Sequence, residues 1–172
     1  MHGFLGGEAM PLVWALLPKK TNATYVELFT AVRDALLSSY GDTGCSRTFL
    51  TDFETAAVKA ISAVFSNAVV KGCTFHFRQA VYRRMQQEGL KSQYESTDNP
   101  TVRNWIRQLM SMTMLPVFVI PLVWNLLKNP PTTGDETTDV KLVNISEYFD
   151  RTWIQGDFPA VLRSYYDNLC PR

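Results

Sequence analysis

Asp52 closes a short apolar run, Thr48-Phe49-Leu50-Thr51, and stands just before an alanine-rich segment of helical spacing. Open α/β sheets collect ligands outside the carboxyl ends of their strands. A carboxylate there suits a hard divalent cation such as Mg²⁺. Asp is also a preferred helix cap, so the same residue can instead cap a helix expected from Phe53, with Glu54 stabilised by the helix N-terminus. Cys73 and His76 form a C-x-x-H pair at the end of the next expected strand. Both types ligate zinc, but a structural site takes four ligands. The remaining Cys45, Cys170 and His2 are not at motif spacing, so a metal site built from this chain alone is not expected. The alternative is a buried Cys73 with His76 hydrogen-bonded at a helix start. Arg78, Arg83 and Arg84, with Lys91 beyond them, could meet phosphates through the planar guanidinium fork. They could equally form a solvated helix face. Trp105, Trp124 and Trp153 read as core anchors rather than base-stacking platforms. No Gly-rich phosphate loop, G-x-S-x-G or H-E-x-x-H is present.

Composition narrows the classes. The chain has 172 residues, 46% hydrophobic and 19% charged, which is globular rather than disordered composition. Its 17 Lys plus Arg against 16 Asp plus Glu give a net charge of +1, which excludes nucleic-acid binding through bulk positive charge but not through a local patch. Three cysteines argue against a secreted disulfide framework and for a reducing compartment. The first residues lack a basic stretch before an apolar run, so a secretory signal is not expected. Residues 109–127 carry no charge and approach the length that spans a bilayer. Against spanning stand Pro116 and Pro121, which favour two short helices broken near Leu115-Pro116.

The elements that must hold these residues follow from periodicity. Residues 10–17 (MPLVWALL) read as a buried strand, with the glycine-rich residues before it as a hairpin turn. Thr21 or Asn22 can cap a helix whose apolar positions are Tyr25, Leu28, Phe29, Val32 and Leu36, ending near residues 38–41. A loop at residues 44–47 and a strand at 48–52 follow. A helix carrying Ala56, Ala57, Ala60, Ile61, Val64 and Phe65, a strand at 68–73, and a helix from about Phe75 to Gln87 complete the first part. This strand–helix alternation indicates an α/β layer with parallel strands. Beyond a polar break at 95–101 the pattern is helical to Lys128. A loop at 129–139, a helix from about Asn144 to Trp153 and a short last helix to Tyr166 then complete the chain.

The run PLVWALLPKKTNATYVELFTAV, followed by FLTDFETAAVKAISAVFSNAVVKGCTFHFRQAVYRRMQQEGLKSQY, resembles the central part of a Mutator-like (MULE) transposase domain. The resemblance rests on P-x-K-T-x-x-x-Y after the apolar strand, D-F-E at the second strand, the A-I-x-x-V-F helix and G-C-x-F-H-F. It continues through TMLPVFVIPLVWNLL and YFDRTWIQGDFPAVL, covering residues from about 10 to 169.

The fold this implies is α/β: a truncated RNase H-like core, a mixed sheet with flanking helices, in residues 1–94, and a mainly helical insertion and C-terminal region in residues 95–172. In such cores two Asp and one Glu surround two Mg²⁺ or Mn²⁺ ions that promote in-line attack on DNA phosphodiesters. Asp52 matches the second acid, and Cys73 and His76 match the C-x-x-H that follows it. The first acid belongs to a strand before Met10, where Glu8 is out of context, and the third to a helix beyond Arg172. One acid cannot hold two ions. The chain is therefore expected to be inactive alone, with no firmly expected metal of its own, and to be a truncated gene model, a decayed element or a retained fragment. DNA, as transposon ends, is the implied partner, the nucleus the implied location, and self-association a further expectation. The competing readings are a domesticated, non-catalytic DNA- or protein-binding derivative and a small membrane protein anchored by residues 109–127.

Overall fold

In a computed structural model of the chain, residues 1–5, 8–41 and 48–166 are described. The expected loop at 44–47, Cys45 and Cys170 lie outside the described residues. The architecture is mixed α/β, mostly helical with small sheets, and it divides into two compact units.

The first unit comprises described residues of Met1–Phe49 together with Glu54–Val70. Strands β1 (His2–Leu5) and β2 (Glu8–Pro11) form an antiparallel hairpin in which Gly3 faces Met10. Helix α1 (Asn22–Tyr40) starts where the Thr21 hydroxyl accepts from the Thr24 amide at 3.3 Å. It stops at Gly41, whose φ of 67° is the left-handed conformation a C-cap uses and glycine adopts without a Cβ clash. Helix α2 (Thr55–Val64) packs on α1. Phe29, Ala60, Ile61 and Phe65 are the buried residues between them, with Phe29 edge-on to Phe65 at 6.4 Å.

The second unit comprises Leu50–Phe53 and, from Lys71 onward, most of the remaining chain. Its core joins Phe77, Val81 and Met85 of α3 (Thr74–Gln87), Trp105, Ile106 and Leu109 of α5 (Thr101–Ser111), and Leu142, Ile145 and Phe149 of α7 (Glu136–Phe149). Spacings of three and four place these side chains on one stripe of each helix. The short α4 (Lys91–Glu95) packs beside α5. Trp105, Trp124 and Trp153 are all buried. Trp105 donates to the Leu127 carbonyl at 3.0 Å and Trp124 to Asp150 at 2.9 Å.

Strands β3 (Thr48–Thr51) and β4 (Val69–Gly72), connected through α2, form a second two-stranded sheet. The single mixed layer expected from the alternation is therefore in two pieces. A larger sheet needs at least one strand with two neighbours, and each of the four described strands has one. The expected buried strand at 10–17 is corrected as well. Its ladder stops at Pro11, and Leu12, Trp14 and Leu16 are 67%, 83% and 101% exposed, because nothing among the described residues covers them.

The segment 109–127 breaks as its prolines require. A 3₁₀ turn at Met112–Met114 leads to extended Leu115-Pro116. A second turn at Val117–Val119 follows, then α6 (Ile120–Leu127). The break frees carbonyls that the later chain takes up: Tyr165 donates its amide to Thr113 O and Ser164 its hydroxyl to Leu115 O, both at 2.7 Å. No helix among the described residues is long and apolar enough to cross a membrane. The expected loop at 129–139 is shorter, because Asp135 accepts from the Thr138 amide and hydroxyl and starts α7 at Glu136. Helix α7 ends at Phe149, and the chain continues to Ile154 as one π-type turn.

Two features of the second unit make stability predictions. Gly72 is buried against the Phe53 ring, and a Cβ there would collide with it. Gly72→Ala should destabilise the fold by about 1–3 kcal/mol, read as a lower urea midpoint at unchanged slope; an unchanged midpoint would refute this packing. Arg163, in the short α8 (Ala160–Arg163), is 2% exposed, has no ion-pair partner among the described residues and donates from Nε to Phe158 O at 2.8 Å. Burial pushes its guanidinium down from its ordinary range to about 10. Between that value and the higher unfolded one the folded state binds fewer protons than the unfolded state, so the cost of this charge is fully present below pH 10. Arg163→Met should raise stability by roughly 1–3 kcal/mol at neutral pH; a lower melting temperature would show the charge to be structurally required.

Candidate functional site

The triplet Asp52-Phe53-Glu54 gives its three side chains three environments. Asp52 follows the last residue of β3 and is exposed. The Thr51 hydroxyl reaches its Oδ1 only at 3.4 Å. Helix α2 begins at Thr55, with Glu54 at its N-cap position, so Asp52 is not the cap of that helix. Phe53 occupies the interval, with its ring packed against the core of the second unit.

Phe53 meets Trp153 edge-on at 4.8 Å, Phe158 at 5.2 Å and Phe77 at 6.3 Å. Edge-to-face contacts of this kind add to area burial and are directional. The Cys73 amide donates to Thr51 O at 2.7 Å. The backbone on the amino side of Asp52 is thus hydrogen-bonded, and the next side chain is seated in the core.

Glu54 is engaged by the first unit. Tyr25 Oη donates to its Oε2 at 3.0 Å, and the Lys20 ammonium lies 3.4 Å from the same oxygen. Asn22 Nδ2 donates to Ala56 O at 3.3 Å. The P-x-K-T-x-x-x-Y and D-F-E signatures therefore touch, through Lys20 and Tyr25 on one side and Glu54 on the other. Neither this meeting nor the seating of Phe53 was read from the sequence. Strand-to-helix periodicity carries no signal for a contact 29 residues apart.

Cys73 is the half-buried N-cap residue of α3 and its thiol is free. His76 is exposed on the first turn of α3, with the exposed Phe75 ring edge-on to it at 5.5 Å. The alternative of a buried Cys73 with a bonded His76 is corrected on exposure. A side chain on the outer face of the first turn stays in water. Among the described residues no group of three or more His, Cys, Asp or Glu is placed to hold a metal ion.

The three arginines separate. Arg78 and Arg83 are exposed on α3. Arg84 is half-buried, pairs with Glu88 at 2.5 Å and lies over the Tyr148 ring at 5.3 Å. Its charge is already used inside the fold, which leaves Arg78 and Arg83 for an outside phosphate.

The two metal ions implied by the resemblance can be tested against these groups. Two ions need several carboxylates to neutralise and bridge them. The described residues offer Asp52, while Glu54 beside it in sequence is held by Lys20 and Tyr25. This set does not fit a two-ion centre without further acids.

No curated protein and no solved structure matches the chain. The family model of the MULE transposase domain matches residues 5–80. That span holds Asp52, Cys73, His76 and Arg78, and it ends before Arg83 and Arg84. Over residues 5–80, then, the chain is similar to the MULE transposase domain, consistent with a partial copy of it.

Proposed function

We propose that this chain is part of a DNA transposase core of the RNase H-like, three-acid type, with Asp52 as the second acid. The observation that supports this most directly is the state of Asp52. Within the matched span it is an exposed carboxylate at the tip of an anchored strand, used neither as a helix cap nor, among the described residues, in an ion pair. Among the described residues strand β3 has one hydrogen-bonded neighbour, so its other edge can take a further strand. On this reading that edge receives the strand bearing the first acid, and a later helix brings the third. With all three present, the acids would hold Mg²⁺ or Mn²⁺, whose chemistry would be to activate an oxygen nucleophile and stabilise the leaving oxygen. Residues 1–172 contribute one acid of the three and so cut no DNA by themselves. The intact domain acts on transposon DNA in the nucleus.

A non-catalytic, DNA-binding role for the same residues is supported by Arg78 and Arg83, which are exposed on one helix and have no ion pair among the described residues. Their planar forks match phosphate oxygens. The role of Cys73 and His76 is proposed as shaping the start of α3 beside β3, since Cys73 bonds the strand through its backbone.

Two measurements test this. The chain alone should release no cleaved or joined product from supercoiled DNA in Mn²⁺. The same chain extended through its flanking reading frame to include both further acids should release product, and Asp52→Asn in the extended chain should lower the rate at least about 10³-fold, roughly 4 kcal/mol of barrier, if its carboxylate helps to hold the catalytic metal. Cleavage by the unextended chain, or full activity of the extended Asp52→Asn variant, would overturn the assignment. For binding, the slope of log affinity against log salt should fall by about one for each of Arg78→Ala and Arg83→Ala. A slope indifferent to both removes these arginines from the interface.

A further inference from the structure

Helix α3 carries three arginines and a histidine and no Asp or Glu in its 14 residues. A surface with one sign of charge attracts ligands of the other. Two cations nearby are already engaged by the fold. Lys71, just before the helix, donates to the Val161 and Ser164 carbonyls at 2.9 and 3.1 Å, and Arg84 pairs with Glu88. Arg78 and Arg83 are exposed and have no ion pair among the described residues.

An aromatic ring stands between these two guanidiniums. Phe75 is 65% exposed, although Phe77, two residues on, is fully buried. Successive helical residues turn by about 100° and rise by about 1.5 Å. Arg78 therefore projects about 60° to one side of Phe75, and Arg83 about 80° to the other and about 12 Å further along the helix. His76 meets the Phe75 ring at 5.5 Å in a T-shaped pair, which steadies it. A lone exposed apolar residue calls for no explanation. A ring flanked by two unengaged guanidiniums, on a helix without a carboxylate, offers a π-face and positive charge together.

That pairing selects the occupant. The phosphates of a duplex would meet the arginines, but its bases are stacked on one another and present no face to the ring. A membrane surface takes up the apolar stripe of an amphipathic helix, and the stripe of α3, Phe77, Val81 and Met85, is already in the core. An acidic peptide would satisfy the guanidiniums and leave the ring in water. Unpaired nucleotides use both, since every base has a face that stacks on an aromatic side chain. Trp105, Trp124 and Trp153 are buried and take no part in such stacking.

We infer that the outer face of α3 binds single-stranded nucleic acid, one base stacked on Phe75 and flanking phosphates on Arg78 and Arg83. This rests on the DNA-binding reading of the two arginines and adds the form of nucleic acid they take. The bond from the Cys73 amide to Thr51 O holds the start of α3 beside the end of β3. Phe75 lies two residues beyond that bond on one side and Asp52 one residue beyond it on the other, so the unpaired stretch lies beside the strand tip.

Fluorescence anisotropy of the 172-residue chain with three probes of equal length tests this: an oligothymidine, its abasic counterpart and a duplex. The oligothymidine should bind at least about fivefold tighter than the abasic strand, the low end of what one base–aromatic stack contributes. Phe75→Ala should remove that margin with circular dichroism and melting unchanged, Phe75→Trp should keep it, and the duplex should bind wild type and Phe75→Ala alike. Arg78→Ala and Arg83→Ala should weaken both single strands together and each lower their salt slope by about 0.7. An oligothymidine bound no better than the abasic strand, a margin that survives Phe75→Ala, or a duplex that loses as much as the single strand overturns the inference. If the arginines still set the salt slope in that case, the DNA-binding reading stands without it. Absence of salt-dependent binding to every probe overturns both.

Discussion

The seating of Phe53 is the contact on which the site depends. Its ring lies where a side chain on Gly72 would stand, and Trp153, Phe158 and Phe77 close around it. Three separate stretches of the second unit therefore have to be in place before the residue after Asp52 is fixed: the end of β4, the start of α3 and the turn after α7. Packing of this density transmits displacement, because a close-packed interior has no slack to absorb it. The position of the Asp52 backbone is consequently set by apolar contacts, with the Cys73-to-Thr51 hydrogen bond holding the strand on its other side.

Glu54 performs a different task with a different kind of interaction. The chain passes from the second unit to the first between Phe53 and Glu54. At that point an aromatic anchor gives way to a polar one, since Tyr25 and Lys20 both reach the same carboxylate oxygen. Lys20 is largely exposed, and a pair of that kind contributes little energy. The half-buried Tyr25 hydroxyl, donating to a charged acceptor, contributes more. The value of the arrangement is geometric: it fixes where α2 starts relative to α1 within the first unit.

Local structure was legible wherever one side chain or one periodicity decided it. A cap at Thr21 or Asn22, a helix end near residues 38–41, the stripe Phe77–Val81–Met85 and the break at Leu115-Pro116 all follow from rules that act over four residues or fewer. Three tryptophans were legible as core because large aromatics in helical register have few other uses. What could not be read depended on partners distant in sequence. MPLVWALL has the composition of a buried strand, and a strand is buried only when something else covers it. The start of α7 at Glu136 was hidden in a Pro- and Thr-rich run, where the bonds from Thr138 to Asp135 outweigh weak intrinsic propensity. At the site, the family resemblance singled out Asp52 and the C-x-x-H pair. The contact between Lys20, Tyr25 and Glu54 and the fit of Phe53 over Gly72 needed three dimensions.

The division of labour within D-F-E also explains why a carboxylate can stand at that tip with no ion-pair partner among the described residues, reached only by the Thr51 hydroxyl at 3.4 Å. A buried charge without a partner is costly, as the depressed guanidinium of Arg163 records. Asp52 avoids that cost by remaining in water, and its strand is held by neighbours that make no use of its charge. Arg84 shows the opposite arrangement, a charge half-buried between Glu88 and Tyr148 and spent on the fold. A side chain that the fold does not use is free to be used by something else. On the proposed reading this is what separates stability from chemistry here: the apolar knot at Phe53 can be complete in a chain that supplies one acid, and arrival of the remaining acids has only to add ligands around a carboxylate already held in place.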